Sequence, residues 1–140
     1  MNYRATQDMM TETQIEVMIV SQPGLLQRIL IDSLAGLPVS LMGIATGGLS
    51  AVEMLEGHQP DLVIVDANLP AKETQMLLRH IRETYPQIWC LALSETSRGR
   101  LATRQAGAHF SILSFELLRN LPAVISEVQA SPGSFPRLEE

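Results

Sequence analysis

Lysine is almost missing from this chain of 140 residues: Lys72 is the only one, and the other nine basic residues are arginines. Fifteen acids against ten bases leave a net charge of −5, which argues against a nucleic-acid grip driven by bulk charge. Cysteine is equally scarce. With Cys90 alone, no intrachain disulfide can form. No apolar run approaches the roughly 20 residues that a membrane-spanning helix needs. The N-terminal arm lacks the apolar core of a signal peptide. The expectation is a cytoplasmic protein with no membrane contact. His58, His80 and His109 have no ligand-like spacing, so no metal site is expected from them. Gly47-Gly48 lacks the dinucleotide-binding pattern. No nucleophile–base motif stands out, and an enzyme is not expected.

What the chain does have is core material. Hydrophobic residues make up 46% and charged residues 18%, enough for one compact domain and too apolar for disorder. Residues 1–14 read as a polar arm, 15–129 as the domain and 130–140 as a tail or linker. Five short apolar segments alternate with stretches of helical spacing. The strands are expected at Ile15–Val20, Pro38–Ala45, Leu62–Val65, Ile88–Leu93 and Phe110–Leu113. Leu62-Val63-Ile64-Val65 is apolar without alternation, as a parallel strand covered on both faces must be.

Between the strands, Leu25, Leu26, Ile29, Leu30 and Leu34 predict a first helix, and Leu49, Val52, Met54 and Leu55 a second. Met76, Leu77, Ile81 and Tyr85 are expected to face inward from a third helix, and Leu101–Ala106 forms a short fourth. The last helix is expected to start near Pro122, because proline inside a helix removes a hydrogen bond. Ser114–Asn120 then reads as a turn or a separate short helix. This alternation specifies an α/β fold, doubly wound around a five-stranded parallel sheet with helices on both faces. In such sheets the functional crevice lies at the carboxyl ends of the strands. The residues that matter are then Ser21, Gln22, Asp66, Ser94 and Ser114.

Residues 15–129 resemble a response-regulator receiver domain. The likeness rests on Pro60-Asp61-Leu62-Val63-Ile64-Val65-Asp66 with Leu69-Pro70, on Leu91-Ala92-Leu93-Ser94, and on Ala106-Gly107-Ala108. It implies a flavodoxin-like strand order 2-1-3-4-5 and a role in two-component phosphorelay signalling. It makes Asp66 the candidate phosphoacceptor and Ser94 the candidate phosphoryl hydroxyl. It also implies an acid pair for Mg²⁺ after the first strand, where this chain has Ser21 and Gln22. No acid occurs between Val17 and Ile31. The family's clamp lysine on the fifth strand is matched by Ser114, and its strand aromatic by Ser111. No alignment slip restores the clamp, because Lys72 is the only lysine.

Three readings follow. The first is a degenerate pseudo-receiver that acts through protein contacts and needs no Mg²⁺ or other cofactor. Arg98, Arg100 and Arg104 around the fourth helix are its candidate partner face, although a solvated helix face is the plainer interpretation. The second is a slow phosphoreceiver using Asp66, with Glu95 or Glu16 helping to handle charge; only here would Mg²⁺ enter. The third is a small-ligand domain whose crevice is lined by Ser21, Gln22, Ser94 and Ser114. The partners implied are a histidine kinase or output protein, or a second copy as a homodimer. Cys90, inside an apolar strand, is expected to be a buried, inert thiol. Leu25, beside the crevice, is expected to be ordinary core.

Overall fold

The computed structural model describes residues 14–130. Of the expected arm (1–14) and tail (130–140), residues 1–13 and 131–140 lie outside the described residues. Five strands are present: β1 (Ile15–Val20), β2 (Val39–Ala45), β3 (Leu62–Asp66), β4 (Trp89–Ser94) and β5 (Phe110–Leu113). All pair in parallel, in the order β2-β1-β3-β4-β5. The helices are α1 (Leu25–Leu34), α2 (Gly48–Gly57), α3 (Glu73–Thr84), α4 (Ser97–Ala106) and α5 (Leu117–Ala130). Short 3-10 turns, Pro70–Lys72 and Ser114–Glu116, lead into α3 and α5.

The strand residues alternate between two cores. Met18, Val20, Val63, Val65, Cys90 and Ala92 meet α2, α3 and α4 on one face. Val17, Ile19, Leu62, Ile64, Leu91 and Leu93 meet α1 and α5 on the other. β3 and β4 are buried along their whole length, which explains their unbroken apolar character. Gly107, at φ 121°, ends α4 in a conformation that favours glycine, and the backbone N–H of Ala108 reaches back to the Thr103 carbonyl.

Several helix expectations need correction. Leu25 and Leu49 are each 74% exposed and do not belong to the core. Both occupy the first turn of their helices, which stands at the rim of the sheet. Met76 is also exposed. The inward stripe of α3 is Thr74, Leu77, Leu78 and Ile81, and Met76 projects from the opposite side. The last helix starts at Leu117 and carries Pro122 in its interior. Pro122 lies on the solvent side, whereas Leu117, Leu121, Val124, Ile125 and Val128 are buried. Burial of that stripe outweighs the one missing backbone hydrogen bond. α4 also begins earlier than expected, because Thr96 caps it by accepting the Gly99 N–H.

Candidate functional site

The parallel sheet brings the ends of β1, β3, β4 and β5 to one crevice. Asp66 is the last residue of β3 and pairs with Leu93 of β4. Ser21 follows Val20, which pairs with Val65, so it flanks Asp66 on the β1 side. Ser94 ends β4 beside Leu113 of β5, and Ser114 comes next.

Asp66 is 9% exposed. Its Oδ1 accepts the backbone N–H of Asn68 at 2.9 Å, and its carbonyl accepts the Thr74 hydroxyl at 2.9 Å. The first contact closes the turn after the strand and the second ties β3 to α3. Burial pushes the carboxyl above its ordinary value. The Asn68 N–H pulls the other way, and the nearby charge of Glu95 adds to the rise. Glu95 is therefore the second acid whose field reaches the crevice.

The surrounding hydroxyls are unequal. Ser21 is fully buried, and its hydroxyl donates to the Gln22 carbonyl at 3.1 Å. Gln27 donates to the Ser21 carbonyl at 2.9 Å, a contact the sequence reading missed. Gln22 itself is exposed. Ser114 donates to the Ser94 carbonyl at 3.2 Å and so laces the ends of β4 and β5. Ser94 is 1% exposed, yet its Oγ has no hydrogen-bond partner among the described residues. A turn hydroxyl commonly bonds the local backbone, and this one does not. An open cavity of about 640 Å³ lies along α1, lined by Pro23, Leu25, Gln27, Arg28, Ile29 and Asp32 among others, and not by Ser21, Gln22, Ser94 or Ser114.

Ser111 is buried on β5, and its hydroxyl lies 2.9 Å from that of Thr103 on α4. Thr103 donates to the Arg100 carbonyl at 3.0 Å, so Ser111 must donate to Thr103. The result is a buried relay from β5 into the backbone of α4. Thr103 was not singled out in the sequence. A threonine eight residues before a serine carries no signal until the strand is placed under the helix. Neighbouring Phe110 faces the other core, where it stacks on Trp89 at 5.5 Å. Arg98, Arg100 and Arg104 are all exposed on α4. Cys90 is buried in β4, and burial pushes its thiol up to about 12, which suppresses thiolate chemistry.

No protein-family model matches the chain. Among curated proteins it is 30% identical over 95 residues to a protein-glutamate methylesterase/protein-glutamine glutaminase of Trichodesmium erythraeum. The same named protein of Pyrococcus abyssi is 29% identical over 98 residues. These matches cover 66% and 69% of this chain but 27% of each relative. The chain thus spans about a quarter of the length of the curated relatives it matches. The solved structures decide the fold. The signal receiver domain of the response regulator NarL from Mycobacterium tuberculosis superposes with a TM-score of 0.69 at 18% identity, covering 81% of this chain and 97% of that one. A DNA-binding response regulator of the LuxR family from Staphylococcus aureus gives 0.73 at 16% identity, with 82% and 98% covered. The fold is that of a response-regulator receiver domain.

The isolated receiver domain of RcsB from Salmonella enterica serovar Typhimurium, solved with the phosphomimetic BeF3−, also superposes at 0.73, with 15% identity over 84% of this chain and 89% of that one. Within the receiver fold the donor set of this chain does not fit a Mg²⁺ ion. Mg²⁺ favours negative oxygen ligands in near-octahedral geometry. Among the described residues no group of three or more His, Cys, Asp or Glu side chains is placed to hold a metal. Ser21 and Gln22 offer only neutral oxygens. Among the described residues, no helix is long and apolar enough to cross a membrane.

Proposed function

We propose that this chain is a degenerate receiver in two-component signalling, which passes on its state through protein contacts without Mg²⁺-dependent phosphorylation of Asp66. One observation carries the reading: Asp66 stands at the strand ends with Ser21, Gln22 and Ser114 where the family's acid pair and clamp lysine would be. A phosphoryl group on the Asp66 carboxyl would place further negative charge where burial and the nearby charge of Glu95 already disfavour a single one. No lysine is available to offset it, since Lys72 sits in the turn before α3. The contact surface in this reading is α4, with Arg98, Arg100 and Arg104 in solvent. The esterase activity in the names of the curated relatives belongs to far longer proteins and is not carried over.

Incubation with a small phosphodonor and Mg²⁺, followed by intact-mass measurement, tests the reading. The expected outcome is an unmodified chain, indistinguishable from Asp66→Asn treated in parallel. Stoichiometric mass gain that maps to Asp66 would overturn it. That result would favour the working phosphoreceiver, for which the unpartnered Ser94 hydroxyl is the supporting observation.

A further inference from the structure

α2 and α4 lie at opposite edges of one helical layer: α2 packs on α3, and α3 packs on α4. Their charges are segregated. α2 contains Glu53 and Glu56 and no basic residue, while α4 contains three arginines and no acid. Glu53, Glu56, Arg100 and Arg104 are exposed, and none of their side chains has an ion pair or hydrogen bond among the described residues. Each helix also leaves a leucine in solvent, Leu49 at 74% and Leu101 at 57%. Leu49, Glu53 and Glu56 follow helical spacing and share the face opposite buried Ala51 and Leu55. Arg100, Leu101 and Arg104 share the arc opposite buried Thr103 and Ala106.

We propose that the outer face of α4 docks on the outer face of α2 of a second copy of this chain. Acid meets base and leucine meets leucine, so the complement of each surface is present in the same sequence. The contact is heterologous, because it joins two different surfaces. A pair of copies keeps one free α2 and one free α4, and further copies can add. Two ten-residue helices make a small interface, so the association is weak and reversible. The relay from Ser111 through Thr103 to the Arg100 carbonyl fixes α4 on β5, which presents its arginines on an ordered helix. This inference names the partner for the α4 contacts and rests on the reading that the domain works through such contacts.

Sedimentation velocity of the full chain tests it. The wild type is expected to associate as its concentration rises, and high salt should reverse the effect by screening the exposed charges. Arg100→Glu with Arg104→Glu should weaken association at least about tenfold, and so should Glu53→Arg with Glu56→Arg. All four positions are exposed, and circular dichroism checks that both variants fold. An equimolar mixture of the two variants should associate again, because each contact then pairs acid with base. A wild type that stays monomeric throughout overturns the proposal. So does association that neither double variant weakens, or a mixture that fails to associate. Phosphodonor treatment of the same samples separates the two readings. Modified Asp66 with unchanged association defeats the degenerate-receiver reading alone, and an unmodified monomer defeats the docking alone.

Discussion

His109 precedes β5, and its Nδ1 accepts the backbone N–H of Cys90 at 3.0 Å. Only an unprotonated Nδ1 can do so. The ring also lies 5.1 Å from that of Trp89. Burial lowers the imidazole from its ordinary 6.5 to about 4, and the positive charge of Arg82 adds to the drop. In the unfolded chain His109 takes up a proton near pH 6.5, whereas the folded chain resists until about pH 4. The stability this group contributes is present above pH 6.5 and is lost as the pH falls towards 4. In His109→Asn a side-chain oxygen can replace the acceptor without titrating. Urea unfolding at successive pH values should show a flatter acid slope for this variant than for the wild type. Equal slopes would show that His109 does not set the acid response.

Among the elements, α5 carries the clearest local conflict. Pro122 cannot donate to the Leu118 carbonyl four residues earlier, and its ring crowds that turn. Pro122 is exposed, so replacing it leaves the buried stripe intact. Pro122→Ala should therefore raise the stability to unfolding by about 1–3 kcal/mol, read by urea denaturation. The same helix shows where the sequence misled. Proline chemistry argued for a boundary, but the apolar stripe from Leu117 to Val128 carries more free energy than one hydrogen bond. β3 and β4 were legible because burial on both faces leaves an unbroken apolar run, a feature β1 shares from Val17 to Val20. The crevice was legible as a set of strand ends, and Asp66, Ser21, Ser94 and Ser114 do gather there. Their hydrogen bonds were not legible. The Ser111–Thr103 relay joins a strand to a helix, and Glu95 acts on Asp66 through space. Helical spacing also cannot tell a first turn at the rim from one over the sheet, which is why Leu25 and Leu49 were misplaced.

At the scale of the whole molecule, one sheet separates two apolar cores, and β3 runs through the middle of it. Val63 and Val65 belong to one core, and Leu62 and Ile64 to the other. Damage at β3 should therefore be felt on both sides at once. Ile64 is fully buried, and Ile64→Ala should cost about 2–5 kcal/mol while leaving unfolding a single transition. Coincident transitions by circular dichroism and by a side-chain probe would bear this out, and two separated transitions would count against a shared core. The molecule supplies that side-chain probe itself. Trp89 is its only tryptophan, 3% exposed, stacked on Phe110 and in tilted contact with the His109 imidazole. Its emission should be blue-shifted in the native state and move to the red on unfolding. Because a protonated imidazole quenches indole where a neutral one does so far less, the native emission should dim in acid before the wavelength moves. Colour then reports the sheet, and brightness reports one proton beside it.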